Sequence, residues 1–172
     1  MIIFVNGPFG VGKTTVANGL TRALPGSMLY DPELIGFVLH RLPGRQPADF
    51  QDLARWRSLT VRMARLLRAT RRDLIIPMTI WRPAYFAEVV GGLRAVDPAF
   101  HHFCLTAAPA TIYDRLRHRG DPPGTFAWQH VAPCLAAFAT PAFASHVPTD
   151  GRAPAAIVAD ILAAVGAVGR DP

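Results

Sequence analysis

One stretch constrains this chain more than any other: Gly7-Pro8-Phe9-Gly10-Val11-Gly12-Lys13-Thr14-Thr15. It holds the only lysine, while the other seventeen basic residues are arginine. A chain this biased towards arginine keeps lysine at the one place where a compact ammonium is needed and a planar guanidinium does not substitute. The spacing G-x-x-x-x-G-K-[ST] is that of a P-loop. Its glycines let successive backbone N–H groups curl around phosphates, the lysine reaches the β- and γ-phosphates, and the threonine offers its hydroxyl to Mg²⁺. Residues 7–15 are therefore the expected nucleotide-binding segment, with Thr14 on the metal.

The flanks supply the order that such a loop requires. Met1 to Asn6 is a short apolar run that reads as a buried strand. After the loop, Val16, Leu20 and Leu24 recur at helical spacing until Pro25-Gly26. A helix beginning there turns its free N–H groups and positive dipole end towards the phosphates.

Further along, strands are expected at 27–30, 74–79, 102–106 and 146–149. Helices are expected at 34–42, 49–70, 83–94, 109–119, 126–138 and 153–168, with Pro133 kinking or restarting the fifth of these. The apolar stripe Leu53, Trp56, Leu59, Met63, Leu66 and Leu67 reads as the inner face of a long amphipathic helix. Pro43-Gly44-Arg45-Gln46-Pro47 reads as a loop. Strands alternating with helices give an α/β chain with a five-stranded parallel sheet in a three-layer arrangement, whose ligands gather at the carboxyl ends of the strands. At 172 residues this is one domain, with a lid over about 119–127.

That geometry selects the other candidates. Asp31 follows the second strand and can take a proton from an attacking hydroxyl or hold a Mg²⁺-bound water; it can equally cap the next helix. Arg115, Arg117 and Arg119 precede the Pro/Gly-rich break, and Arg115 and Arg119 share a helix face. Positive charge fixed around a transferring phosphoryl group is where phosphate transfer gains most, so Arg115 and Arg119 join Lys13 and Asp31 as candidate catalytic residues. Arg57, Thr79 and Arg82 are candidate acceptor contacts.

Composition removes several alternatives. A net charge of +6 raises nucleic-acid binding, but the arginines are dispersed and no recognition motif accompanies them. No run approaches a membrane span, and no positively charged leader precedes the first strand. Cys104 and Cys134 lack metal-ligand spacing and read as buried thiols of a cytoplasmic protein. The third strand ends Pro77-Met78-Thr79 without the acidic residue that motor and switch NTPases use, and no guanine-reading N-K-x-D is present. ATP with Mg²⁺, and a substrate rather than water as the attacking group, suit this pattern.

The same residues resemble the bacterial tunicamycin resistance proteins. The matching segments are the P-loop start, Tyr30-Asp31-Pro32-Glu33 with Gly36-Phe37, Asp49-Phe50-Gln51 with Trp56-Arg57, Ile76-Pro77-Met78-Thr79-Ile80, His101-His102-Phe103, and Arg115 to Arg119, in order along nearly the whole chain. The resemblance implies a fold like that of the nucleoside monophosphate kinases, shikimate kinase and chloramphenicol phosphotransferase. By that resemblance Asp31 contacts the acceptor hydroxyl, Arg115 and Arg119 contact adenine and phosphates, and Arg57 contacts the acceptor. It also implies resistance to a lipid-tailed uridine antibiotic. Members commonly carry an amphipathic membrane-associating C-terminal segment; here the last helix is mostly alanine and valine with little basic face, which argues against peripheral attachment.

The expectation is thus an ATP-dependent kinase of a small-molecule hydroxyl, monomeric or homodimeric. Two readings stand beside it: an ATP-gated protein that sequesters the drug unmodified, and a metabolic nucleotide or polyol kinase.

Overall fold

The computed structural model describes residues 1–43 and 47–168, so 44–46 of the expected loop lie outside the described residues. Strands β1 (Ile2–Asn6), β2 (Met28–Leu29), β3 (Leu74–Pro77), β4 (Phe100–Thr106) and β5 (His146–Pro148) form one sheet in the order β2-β3-β1-β4-β5. Every pairing is parallel, with Ile2 opposite both Leu74 and Phe100. The central strand β1 is buried at all five positions. This is why it reads as a continuous apolar run rather than as an alternating one.

Alternation along β1 nevertheless divides the core. Ile2 and Phe4 pack with Trp56, Phe86, Leu93, Phe138 and Phe143 on one face of the sheet. Ile3 and Val5 pack with Val16, Leu20, Val158 and Ile161 on the other. The first layer is built by α3 (Ala54–Arg68), α4 (Pro83–Val96) and α7 (Val131–Phe138). The second is built by α1 (Lys13–Ala23) and α8 (Pro154–Val168). Each fully buried side chain of this size contributes about 1.5–3 kcal/mol to folding. Around the rim lie α2 (Glu33–His40), α5 (Pro109–Arg119) and the single turn α6 (Phe126–Gln129).

Three departures from the expected elements have local causes. The helix expected over 49–70 is split: Asp49 accepts the Gln51 N–H at 2.9 Å and caps a 3-10 turn at Phe50–Asp52, and α3 begins only at Ala54. The inner face of α3 is Trp56, Thr60 and Ala64, whereas Leu59, Met63 and Leu66 are exposed. Neighbours orient the helix this way. Val61 lies so close to α4 that a Cβ on Gly92 would sit 2.6 Å from it, and Arg57 and Arg68 pair with Glu88 and Asp97 on the same flank. The Trp56 indole donates to the Pro32 carbonyl and the Tyr30 hydroxyl to the Thr60 carbonyl, turning small residues towards the sheet. Finally, the break in 126–138 falls at His130; Pro133 sits in the first turn of α7, where its missing N–H has no helical partner to lose.

Candidate functional site

Asn6, the last residue of β1, ties two strand ends together. Its side-chain oxygen accepts from the Gly7 and Ile80 N–H groups at 2.9 and 3.0 Å, and its Nδ2 donates to the Ile80 carbonyl at 3.0 Å. The chain then enters the glycine loop. Gly7 has φ +142°, and a Cβ there would meet the Leu105 carbonyl at 2.6 Å, so no other residue fits. Gly12, at φ +105°, precedes α1 without a side-chain cap, which leaves the first N–H groups of the helix for an anion.

Lys13 lies beneath this loop, its ammonium donating to the Gly7 and Pro8 carbonyls at 3.0 and 2.8 Å. Burial lowers its pKa to about 8, against an opposing pull chiefly from Glu33. The loop, Lys13 and Thr14 line a cavity of about 560 Å³ with Arg115, Arg119 and Arg152. Arg115 works as a brace: its guanidinium donates to the Val11 carbonyl at 3.0 Å and to the Thr149 hydroxyl and carbonyl at 2.9 and 3.0 Å. Arg119 pairs with Asp121 at 2.5 Å just past the end of α5, where Gly120 at φ +88° and the Asp121 N–H to Leu116 carbonyl bond close the helix. Arg152, held by Asp160 at 2.5 Å, was not singled out in the sequence. Its only signal is its place in the loop after β5.

Lys13, Thr14 and Arg119 also line a second cavity of about 340 Å³, together with Phe9, Glu33 and Phe126. Phe9, Glu33 and Phe126 then recur in a third, of about 270 Å³, lined further by Phe37, Phe50 and Asp49. The three spaces share walls in series, and Glu33 stands at the junction of the last two. Burial pushes the Glu33 carboxyl above the ordinary glutamate range; Lys13 and Arg119 pull it down, and Asp31 pushes it further up.

Not all residues predicted from the sequence reach these spaces. Asp31 accepts the Glu33 N–H at 2.9 Å and lines none of the three cavities. Arg57 donates to Glu88 at 2.5 Å and to the Gln51 carbonyl at 2.6 Å, with its guanidinium 4.2 Å from the Tyr85 ring centroid. Arg82 is paired with Asp52 beside Trp81 and Tyr85. Thr79 is buried behind Gln51, whose Nε2 donates to the Thr79 carbonyl at 2.8 Å. The residues that do line the third cavity, Glu33, Phe37, Asp49, Phe50 and Gln51, belong to segments conspicuous in the sequence, but no local pattern marked them as functional.

For a nucleotide with Mg²⁺, the cradle fits the phosphates: Gly10 and Gly12 at positive φ, an uncapped helix N-terminus and Lys13 surround one space. Among the described residues no group of three or more His, Cys, Asp or Glu is placed to hold a metal by itself. The Thr14 hydroxyl is the protein oxygen on the loop suited to a phosphate-bound cation.

The AAA domain family matches residues 2–139. Among curated proteins, none matches the chain in sequence. Among solved structures, the tunicamycin resistance protein of Deinococcus radiodurans is 32% identical, with a TM-score of 0.82, over 96% of this chain and 95% of its own. A gluconokinase from Sinorhizobium meliloti superposes with a TM-score of 0.63 at 20% identity, over 96% of this chain and 91% of its own. The shikimate kinase of Acinetobacter baumannii, in complex with shikimate, gives 0.61 at 15% over 99% and 95%. The last two establish a shared fold, that of small-molecule kinases with a P-loop. The sheet order, the glycine cradle and these similarities together place the chain in the AAA-domain P-loop family, alongside the tunicamycin resistance proteins.

Proposed function

We propose that the protein is an ATP-dependent phosphotransferase that phosphorylates a hydroxyl of tunicamycin, or of a related nucleoside or sugar, in the cytoplasm. The observation that carries this reading is the middle cavity, which shares Lys13, Thr14 and Arg119 with the phosphate cradle and Phe9, Glu33 and Phe126 with the phenylalanine-lined cavity. A cleft that only hydrolysed nucleotide would need no second compartment for an acceptor.

Bound Mg-ATP would supply the phosphoryl group. The loop N–H groups and Lys13 hold phosphate oxygens, and Arg119 adds positive charge at the junction where negative charge gathers during transfer. Glu33 accepts the proton of the acceptor hydroxyl. Its raised pKa makes it a better base than an ordinary carboxylate. Asp31, holding the Glu33 backbone, positions that carboxylate. Segment 119–127, carrying Arg119, Asp121 and Phe126, acts as the lid over the junction.

Mass spectrometry of tunicamycin and of a nucleoside and sugar panel after incubation with protein and Mg-ATP tests the reading. The expected product is heavier by one phosphoryl group. Unmodified drug, held stoichiometrically and only when ATP is present, overturns catalysis in favour of sequestration.

A further inference from the structure

The third cavity differs in kind from the phosphate cradle. Its walls are four phenylalanines, Met78 and a handful of polar groups, among which Glu33 and Asp49 are carboxylates and neither arginine nor lysine appears. Phe37 and Phe50 meet edge to face at 6.1 Å, and so do Phe9 and Phe126 at 5.8 Å. Phe37 is 53% exposed and Phe126 40%, an unusual degree of exposure for aromatic rings that line one cavity. Such walls suit a planar or apolar ring.

The polar groups have unused capacity. Asp49 is only 6% exposed; its Oδ1 accepts the Gln51 N–H, and its Oδ2 has no partner. Gln51, 2% exposed, donates its Nε2 to the Thr79 carbonyl and leaves Oε1 without a partner; the Nε2 of His40 is likewise unpaired. Buried polar atoms are nearly always satisfied, and two neighbouring residues each left with a bare acceptor oxygen call for a ligand that donates.

The nearby arginines are spent elsewhere. Arg57 is bound to Glu88 and to the Gln51 carbonyl, and Arg82 to Asp52, and neither lines the cavity. Two carboxylates, Glu33 and Asp49, on a wall without arginine or lysine repel a further negative charge.

From this we infer that the cavity takes a neutral or cationic ring-bearing molecule, donating hydrogen bonds to Asp49 and Gln51, and rejects anionic acceptors such as sugar acids and nucleoside monophosphates. The inference rests on the kinase reading only in identifying the ligand of this cavity with the phosphate acceptor.

Binding of matched pairs, followed by ligand-observed NMR or calorimetry on the full chain, separates the two. The pairs are uridine with uridine monophosphate, and shikimate methyl ester with shikimate. In each the neutral member should bind at least about 10-fold more tightly, the equivalent of about 1.4 kcal/mol. Asp49→Asn, which keeps the oxygen that caps the 3-10 turn, should narrow the gap. Phe37→Arg, at a half-exposed position on the cavity wall, should raise affinity for the anionic members about 10-fold by placing a cation there. Equal or tighter binding of the anionic members to the unmodified protein overturns the inference, as does failure of every compound to bind. ADP release run in parallel keeps the two ideas apart. Neutral ligands that bind without ADP release sink the kinase reading and leave the inference standing. ADP release driven by the acids alone does the reverse.

Discussion

The two halves of the cleft are built on opposite plans. The phosphate half is made mostly of backbone: glycines at positive φ, a helix N-terminus, and a few cations whose charge is fixed by short bonds to carbonyls and carboxylates. The acceptor half is made of side chains drawn from the glycine loop, α2, the 3-10 turn, the residue after β3 and the lid, and its charge is negative. Phosphates are alike in every nucleotide, so backbone amides suffice to hold them. Acceptors differ, and discrimination needs buried side chains that can be left unpaired by the wrong molecule.

Substitutions that harm one half and spare the other put this contrast at risk. The largest effect is expected from Lys13→Ala, which should lower kcat/KM by about 10³-fold, the upper range for one preorganised electrostatic group. Isothermal titration with ATP should show the loss of affinity, while neutral ring compounds still bind the other half. Next is Glu33→Gln, expected to lower kcat by about 10²-fold with nucleotide affinity retained. Asp31→Ala, which removes the oxygen that accepts the Glu33 N–H, should cost about 1 kcal/mol of stability, as for a lost helix cap, and little transfer. Loss of transfer in the Asp31 variant alone would exchange the two roles.

Glu33 also gives a sign to the pH dependence. Its folded pKa is raised, so between the unfolded and folded values the folded state binds more protons, and stability falls as pH rises through that window. Glu33→Gln should therefore melt at a higher temperature than the parent at neutral pH, although its kcat is lowered. The acid limb of kcat should lie above the range of an ordinary glutamate. A variant melting lower than the parent contradicts this sign.

A finer test is Gly36→Ala. A Cβ there would stand 2.5 Å from the Phe50 ring, so the ring must move. About a 10-fold rise in acceptor KM is expected, with ATP affinity unchanged, the change being confined to an aromatic contact. An equal fall in ATP affinity would show that the halves are not separable. The smallest effect belongs to Arg117→Ala. Its pairing with Asp114 is exposed on both sides, and melting should shift by no more than about 0.5 kcal/mol equivalent.

The same division governs how much could be read from the sequence. The strand–loop–helix unit was legible because its chemistry is local: glycine spacing, one lysine and an apolar run are contiguous. The parallel sheet followed from the alternation of elements. Asp31 illustrates the limit. It was placed correctly at the end of β2, but whether Asp31 or Glu33 faces the junction depends on the φ/ψ path of two residues, and the structure has Asp31 binding the Glu33 N–H instead. Arg57 was conspicuous by its charge, yet Glu88, 31 positions away, claims it. Leu59, Met63 and Leu66 held helical spacing, but α4 packed on the other flank and left them outside. Such outcomes turn on contacts between elements far apart in sequence, which periodicity does not encode.

That the lone lysine lies under the phosphate loop has a practical consequence for protein chemistry. The other primary amine, at Met1, is engaged by Asp73 at 2.5 Å and Asp97 at 3.2 Å. With a pKa near 8, Lys13 presents a substantial neutral fraction to an acylating reagent in mildly alkaline buffer. Acylation there blocks tryptic cleavage after residue 13, so peptides 1–13 and 14–22 are replaced by a single peptide 1–22. The ratio of those peptides in a digest becomes a direct count of how many molecules had their phosphate cradle covered.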